Sequence, residues 1–407
     1  MKIRSVTYFD NPGQPLEEEF LSRSEKFQQE TLACFQDLGI ELQTIRFASA
    51  PFPTYLEDLS SDQVIDYALK LEKLLTEQGF AYLSLGPALP DIPASYKLIP
   101  GVIEATEATF CSGIMTPKGK SLSLPAVRSC GEIIHKLTPL DTNGFANLYF
   151  AALGNVPAGS PFFPAAYHSG GPPAFAIAVE GADLAVEAFS DAPTLATARQ
   201  QLIQKMNQMG EKITEIGRAL EKSTGAEYQG IDYSLAPYPE PAQSTGTAFE
   251  KLGINHFGEH GSLAAAAFLA EAIDRGSFIR TGFSGLMLPV LEDAVLASRA
   301  AEGFLGIKDL LMYSAVCGTG LDTVPLPGDT SADQISSILL DLAALSLRLN
   351  KPLTARLMPI PGKKAGDPTE FNFEFFANSK VLSVESSGLA GVFSGEEIID
   401  LRPRGDF

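Results

Sequence analysis

Short runs of residues typical of β-strands alternate with longer runs of helical periodicity along almost the whole chain. KIRSVTY (2–8) is strand-like, 16–38 has the spacing of an amphipathic helix that ends at Gly39, and ELQTIRF (41–47) is strand-like again. A helix is the usual crossover between parallel strands, so this repetition is typical of an α/β fold. The sequence therefore predicts an α/β fold with a largely parallel sheet.

The same criteria predict further elements along the rest of the chain and no domain boundary. Strand-like runs follow at AYLSLG, TFCSGIM, NLYFAAL, AFAIAVE, GIDYSLA, LLMYSAV and LTARLMPI, and helical runs near 62–78, 124–137, 192–222, 261–274, 289–302 and 332–349. The proline- and glycine-rich stretches at 86–93, 155–173 and 235–245 are too apolar or too short to act as flexible linkers. We predict one α/β domain over residues 1–407, with roughly ten strands.

Charge and cysteine usage exclude several classes of partner. The formal net charge is −19, which repels nucleic-acid phosphates and anionic lipid surfaces, so we expect neither nucleic acid nor a membrane as partner. The four cysteines are widely spaced, which is typical of a reduced chain rather than of a disulfide scaffold. The first ten residues, MKIRSVTYFD, lack the apolar segment of a signal peptide. We expect a cytoplasmic protein.

The stretch SAVCGTGLDTVPLPGDTS combines two features. Its second half places Ser331 three residues before Gln334, the spacing of a capping box, and predicts the start of a helix. Its first half, CGTGLD, follows the strand-like run LLMYSAV, at a position where α/β folds bind ligands. It does not match a dinucleotide-binding fingerprint, since Thr323 stands where the third glycine is required. Cys317 and Asp322 are therefore site candidates, with plain packing as the alternative for the cysteine.

Two glycine-containing loops hold titratable or charged residues. His168 lies in the aromatic-rich loop NVPAGSPFFPAAYHSGGPP and is suited to proton transfer or to ligand binding, or else it holds the turn by a hydrogen bond. Lys363 and Lys364 lie between the glycines of MPIPGKKAGD, where paired ammonium groups could hold a carboxylate or a phosphate. A solvated hairpin tip is the alternative for the two lysines.

Three carboxylates stand among apolar residues. Glu292 and Asp293 lie in LPVLEDAVLA, inside the helical pattern at 289–302, where one of the two would face inward. Asp232 ends the strand-like run of GIDYSLAP. An inward carboxylate needs a partner, although each could also serve as a cap or a turn acceptor. The pattern HFGEH matches an inverted zinc-peptidase motif, but its glycine predicts a loop rather than a helical zinc-binding face.

Several of these stretches together resemble one family. SPFFPAAYHSGGPPAFA, GIDYSLAP, LMLPVLEDAVLA, SAVCGTGLDTVPLPGDTS and LMPIPGKKAGD are similar, in this order, to signature segments of the domain-of-unknown-function 711 family, and IRSVTYF and LPAVRSCGEIIHKL resemble it too. Its members resemble pyruvate formate-lyase-like glycyl radical enzymes in architecture. The resemblance therefore implies a ten-stranded β/α barrel in two antiparallel halves. A glycyl radical is not expected, because SSGLAGVFSG lacks the arginine and the aromatic residue of the radical loop.

All of the candidates lie in the matching segments, so we expect them to meet at one barrel cavity. The expected function is that of an enzyme acting on a small anionic metabolite by acid/base or cysteine chemistry. The expected catalytic residues are His168, Cys317, Asp322 and Glu292. The expected substrate-binding residues are Lys363, Lys364, Asp232 and Asp293.

Several alternatives stay open from the sequence alone. The cofactor is unknown, and a divalent metal bound by His168 together with carboxylate oxygens is one alternative. A non-catalytic ligand-binding or regulatory protein that keeps the same fold is the second functional hypothesis. A homo-oligomer is a further expectation for either hypothesis.

Overall fold

A computed structural model describes residues 2–56, 60–117, 121–316 and 318–404 of the chain. The strands of these parts are β1 (Lys2–Phe9), β2 (Leu42–Ala48), β3 (Tyr82–Ala88), β4 (Thr109–Ile114), β5 (Ser121–Ser123), β6 (Phe150–Gly154), β7 (Ala174–Glu180), β8 (Glu227–Ala236), β9 (Gly320–Pro327), β10 (Leu353–Ile360) and β11 (Ile398–Asp400). Short β5 and β11 pair with each other, and the other strands form one nine-stranded sheet in the order β8-β7-β1-β2-β3-β4-β6-β10-β9.

Helices connect most of these strands. They are α1 (Glu18–Asp37), α2 (Ser61–Glu77), α3 (Ile99–Ala105), α4 (Leu124–Leu137), α5 (Ala182–Ser190), α6 (Leu195–Thr224), α7 (Thr245–Lys251), α8 (Ser262–Asp274), α9 (Ala294–Glu302), α10 (Ile307–Val316) and α11 (Ala332–Leu349). Strand and helix alternate as expected, and the sequence-based prediction of an α/β fold with a largely parallel sheet is confirmed.

The sheet changes direction at two places. Strands β1, β2, β3, β4 and β6 are parallel to their neighbours in this central part. Strands β7 and β8 are parallel to each other, but β7 is antiparallel to β1. On the other side, β9 and β10 are parallel to each other, and β10 is antiparallel to β6. The sheet therefore consists of a central parallel block with an antiparallel pair of strands on each side.

The regular strands leave two sheet edges, β8 and β9, and the segment 279–290 hydrogen-bonds to both. The Thr281 N–H donates to the Ile231 carbonyl of β8 at 3.1 Å. The Val290 N–H donates to the Asp322 carbonyl of β9 at 3.1 Å. The bridges at the two ends of the segment are parallel. This segment therefore connects the two edges of the sheet without forming a regular strand itself.

The two faces of the sheet have different neighbours. Val6 and Tyr8 of β1 belong to the main hydrophobic core, where the Tyr8 ring stacks on Phe27 of α1 at 4.4 Å. Phe9 points to the opposite face and packs with Phe110 and Phe163 in a smaller cluster. This alternation is the expected result of the two-residue period of a strand. The opposite face, which loops cover, is where the candidate site lies.

The structure corrects two element predictions near the candidate residues. LLMYSAV is not a strand but part of α10, whose buried residues Ile307, Leu310 and Tyr313 follow a helical spacing. A short apolar run fits either element, and periodicity alone does not separate them. The strand of this region is β9, so Asp322 lies within a strand rather than after one. The helix predicted at 289–302 begins only at Ala294, as α9.

Local capping was more predictable than these boundaries. The capping box of Ser331 and Gln334 is present at the start of α11, with each backbone N–H bonded to the other residue's side chain at 3.0 and 3.2 Å. Asp293 caps α9 and is fully buried. Its carboxylate accepts hydrogen bonds from the N–H groups of Val295 and Leu296 and from the Ser244 hydroxyl. The Asp293 carboxylate, which was expected to bind substrate, is thus engaged in hydrogen bonds within the fold.

Asp293→Ala should lower the free energy of unfolding by about 3 kcal/mol, because it leaves several buried donors without an acceptor. Asp293→Asn should cost less, since one side-chain oxygen can still accept. Ser331→Ala, which removes an exposed cap, is the matched comparison and should cost about 1 kcal/mol. Urea denaturation of the three variants measures these costs. Equal losses for Asp293→Ala and Ser331→Ala would contradict the buried-cap assignment.

Candidate functional site

A cavity of about 150 Å³ lies on the loop-covered face of the sheet. Six of its residues are aromatic: Tyr82, Phe110, Phe162, Phe163, Phe373 and Phe375. Five are charged: Arg4, Arg46, Arg356, Glu292 and Asp322. The charged residues come from β1, β2, β9, β10 and the turn before α9. Five charged side chains in one small, largely buried cavity are rare in a hydrophobic core and mark a candidate site.

Arg356 is the centre of an ion-pair network in this cavity. Its guanidinium donates to Asp322 at 2.6 Å and to Glu292 at 2.6 Å. Glu292 also accepts a hydrogen bond from Arg4 at 3.1 Å, and Arg4 donates to Glu180 at 2.7 Å. Each of these carboxylates is less than one-tenth exposed. Pairing of this kind offsets the high free-energy cost of burying charged groups.

Irregularities in two strands position the network. Relative to β7, strand β1 has one extra residue between Ile3 and Ser5, and this residue is Arg4. Strand β9 likewise gains one residue between Leu321 and Val324 relative to β10. β-Bulges of this kind redirect side chains and are common next to active sites. They allow charged side chains to enter the cavity from strands that are otherwise apolar.

Thr323, in the bulge of β9, has a strained backbone. Its φ is 43°, in the left-handed region that a β-branched residue rarely adopts. Its hydroxyl accepts a hydrogen bond from the Leu291 N–H at 3.3 Å. This contact fixes the backbone immediately before Glu292. Backbone strain next to a buried charge network supports the assignment of this region as a functional site.

Arg46 differs from the other two arginines. It is 8% exposed, and its Nε donates to the Thr44 hydroxyl at 2.9 Å. Its guanidinium lies 5.6 Å from the Tyr82 ring and 5.3 Å from the Phe163 ring. Among the described residues no carboxylate lies within ion-pair distance of it. Burial lowers the pKa of Arg46 to about 9, and the positive charge of Arg4 contributes to this shift. A guanidinium that is buried without an ion-pair partner among the described residues is a candidate for anion binding.

Asp322 has the protonation behaviour expected of an acid/base group. Burial raises the pKa of its carboxyl, the Arg356 guanidinium opposes this, and the Glu292 carboxylate raises the pKa further. Two buried carboxylates that share one guanidinium compete for its charge. Asp322 therefore retains a proton at a higher pH than an ordinary aspartate does. The cavity thus contains a carboxyl group with a raised pKa, Asp322, and a buried guanidinium, Arg46.

The residues predicted from the sequence separate into two groups. Glu292 and Asp322 line the cavity, whereas Lys363 and Lys364 do not. The Lys363 ammonium pairs with Glu370 at 3.0 Å, and the Lys364 N–H bonds to Asp367 in the same turn. These contacts match the alternative of a hairpin tip. Cys317 lies outside the described residues.

His168 and Asp232 are buried but do not line this cavity either. His168 is 2% exposed, its Nε2 lies 3.2 Å from the Pro172 carbonyl, and burial lowers the pKa of its ring. The Asp232 carboxylate accepts from the N–H groups of Phe283 and Ser284 at 2.7 and 2.8 Å. Burial raises the pKa of Asp232 to about 6. These contacts tie Asp232 to the segment that connects the two sheet edges.

The three arginines of the cavity were not among the site residues predicted from the sequence. A signal for them was present, because Arg46 and Arg356 stand inside the apolar strands LQTIRFA and LTARLMPI. A charged residue inside a buried strand requires a partner, and that requirement alone makes it a site candidate. Arg4 gave no such signal, since it lies near the start of its strand.

The HFGEH pattern does not form a helical zinc-binding face. HFGEH lies in the turn before α8, where His256 Nδ1 is 3.1 Å from Glu259 and the ring stacks on Phe304. The predicted loop at HFGEH is therefore confirmed. Among the described residues, no group of three or more His, Cys, Asp or Glu side chains is arranged to hold a metal ion. None of the helices in these parts of the chain has the length and apolar character that crossing a bilayer requires.

Comparison with known proteins gives a consistent result. The family model "Uncharacterised ACR (DUF711)" matches residues 1–378. A UPF0210 protein of Pyrobaculum aerophilum is 34% identical over 351 residues, which cover 81% of this chain and 76% of that protein. UPF0210 proteins of Acetivibrio thermocellus and Methanocaldococcus jannaschii are 30% and 31% identical, over 83% and 76% of this chain and 78% and 69% of their own lengths. The chain therefore belongs to the DUF711 (UPF0210) family.

Proposed function

We propose that this protein is an enzyme that binds a small organic anion in the cavity of about 150 Å³ and exchanges a proton with it through Asp322. The observation that supports this most directly is the Arg46 guanidinium, which is buried and has no carboxylate partner in the part of the chain that the structure describes. The sequence predicts Lys363 and Lys364 as the anion-binding groups. We assign that role to Arg46 instead, because Arg46 lines the cavity and the two lysines do not.

The charge arrangement favours an anionic ligand. Arg4 and Arg356 are already neutralised by Glu180, Glu292 and Asp322. Arg46 is not, and burying an unpaired charge is costly. A carboxylate or phosphate group would supply the missing partner, and the fork of a guanidinium fits either group with two parallel hydrogen bonds. The ligand's anionic group therefore belongs next to Arg46.

The rest of the cavity limits the body of the ligand. Tyr82 and Phe163 flank Arg46, and Phe110, Phe373 and Phe375 add further apolar surface. Such walls favour an apolar or aromatic body over a sugar or a polyphosphate. A volume of about 150 Å³ restricts that body to a small metabolite. The substrate class is thus a small organic acid or organic phosphate with one anionic end.

Asp322 and Glu292 are the two carboxylate groups that the described residues contribute to the cavity. Arg356 holds both carboxylates in place, so their positions are fixed before a ligand binds. The raised pKa of Asp322 brings its proton exchange closer to neutral pH, where an acid/base group is most effective. In this proposal Asp322 transfers the proton and Glu292 controls its charge.

We further propose that the segment 279–290 closes the nine-stranded sheet into a barrel. The segment 279–290 is hydrogen-bonded to both β8 and β9, in parallel orientation at each end. If it counts as a tenth strand, the strands make two antiparallel halves of five and surround the cavity. That is the barrel implied by the resemblance to pyruvate formate-lyase-like enzymes. No glycyl radical is part of this proposal.

A non-catalytic ligand-binding protein is the second candidate function. It is favoured by the ion pairs of Asp322 and Glu292, because a carboxylate held by a guanidinium is a weakened base. Both candidates require the anion site at Arg46. They differ in whether the protein converts the bound anion into a product. Mass spectrometry of the ligand recovered after incubation distinguishes the two, since only an enzyme changes its mass or structure.

Arg46→Met should weaken the binding of small organic anions about tenfold or more, because a hydrogen bond to a charged group contributes roughly 1.5–3 kcal/mol. A panel of carboxylates and organic phosphates is first screened by thermal shift, and titration calorimetry then gives the affinities. The melting temperature without ligand should stay the same or rise, since the variant removes an unpaired buried charge.

Arg218→Met is the matched control for this variant. Arg218 also lies over an aromatic ring, that of Tyr228 at 5.7 Å, but it does not line the cavity. It should bind the same anions with wild-type affinity. Equal affinities for the wild type and Arg46→Met would remove the basis of the proposed function.

Anion affinity should fall as the pH rises through the titration of Asp322. The protonated carboxyl is neutral and tolerates a nearby anion, whereas the carboxylate repels it. Since the pKa of Asp322 is raised above the ordinary value of 3.8, the fall should occur above the usual range for aspartate. An aromatic sulfonate is the suitable probe because its own charge is constant across this range. In Asp322→Asn the affinity should be independent of pH across this range. If this variant instead keeps the pH profile of the wild type, Asp322 is excluded as the responsible group.

A further inference from the structure

A second, smaller chamber adjoins the anion cavity. Its volume is about 20 Å³, and it shares five lining residues with the larger cavity: Phe162, Phe163, Met287, Asp322 and Arg356. Of these five, Asp322 is the residue that can gain or lose a proton at ordinary pH, because a guanidinium stays protonated. The Asp322 carboxylate therefore stands at the boundary between the two spaces.

The smaller chamber contains a hydroxyl without a partner. Thr319, immediately before β9, lines the chamber and is 3% exposed. Its Oγ1 is buried and has no hydrogen-bond partner among the described residues. Its carbonyl, by contrast, accepts from both the N–H and the hydroxyl of Thr354, at 2.7 and 3.1 Å. A buried hydroxyl left without a hydrogen bond is unfavourable, so this atom points to a bound polar molecule.

We propose that the smaller chamber binds one water molecule that bridges the Thr319 hydroxyl and the Asp322 carboxylate. The chamber volume of about 20 Å³ exceeds what one water needs, which is about 10–15 Å³. A buried water also needs at least two polar partners. Thr319, Asp322 and Thr354 all line the chamber and carry polar groups that can provide them.

The bridging water gives Thr319 a role in setting the charge of Asp322. A water that donates a hydrogen bond to the carboxylate stabilises its ionised form. The other charged groups that act on Asp322 are Arg356 of β10, Arg4 of β1 and Glu292 before α9. Thr319 is therefore a positioning residue: it holds the water, and the water stabilises the carboxylate. The consequence for a ligand in the larger cavity rests on the proposed function, but the water site itself does not.

Crystal structures of the ligand-free wild type, Thr319→Val and Thr319→Ser test the site directly. Valine has the shape of threonine without its hydroxyl, and serine keeps the hydroxyl. We expect one ordered water in the chamber of the wild type and of Thr319→Ser, and none in Thr319→Val. A dry chamber in the wild type, at a resolution that shows other buried waters, would overturn the proposal. If valine prevents folding, Thr319→Ala tests the same hydroxyl.

Titration of Asp322 gives a second readout that a purely structural threonine would not change. The carboxyl signal is followed by infrared or NMR spectroscopy and is assigned by its loss in Asp322→Asn. In Thr319→Val the midpoint should move upward by roughly one pH unit, since a hydrogen bond to the charged form is lost. Thr319→Ser should restore the wild-type midpoint. Identical midpoints in all three proteins would show that no water links Thr319 to Asp322, whether or not the larger cavity binds an anion.

Discussion

The Arg356 guanidinium holds together parts of the chain that are distant in sequence, and the candidate site depends on it. It joins β10 to Asp322 of β9 and to Glu292 before α9, and Glu292 in turn contacts Arg4 of β1. All of these groups are in a region of low dielectric, where removing one member of a pair leaves an uncompensated charge. The network therefore constrains how β1, β9 and β10 can be placed relative to one another.

The same network explains why one arginine of the cavity has no carboxylate partner among the described residues. Two guanidinium groups share the three carboxylates of the region, and no acceptor for Arg46 is present among the described residues beyond the Thr44 hydroxyl. Tyr82 and Phe163 support its charge through their ring faces, which is a weaker stabilisation than an ion pair. A site built this way is organised before the ligand arrives, so little ordering is needed on binding.

Local features of the sequence predicted much of the fold but little of the site. Strand and helix periodicity and the capping box of Ser331 depend on neighbouring residues, and these predictions agree with the structure. LLMYSAV failed because a short apolar run fits a strand or a helix equally well. Glu292 was found because a carboxylate is conspicuous in an apolar segment, and Asp322 because the glycine-rich run CGTGLD was expected to follow a strand. Arg4, the partner of Glu292, lies 288 residues from it, and neither that pairing nor the bulge that permits it leaves a local pattern.

The candidate site combines residues that are far apart in the sequence, and this has a consequence for its synthesis. Arg4 and Arg46 leave the ribosome first, whereas Asp322, Arg356 and Phe373 follow only after most of the chain has been made. Contacts between such remote residues form late and slowly during folding. A nascent chain therefore carries Arg4 and Arg46 without the carboxylate and aromatic residues that complete the cavity. The ion-pair network of Arg356 cannot form until β10 has been synthesised.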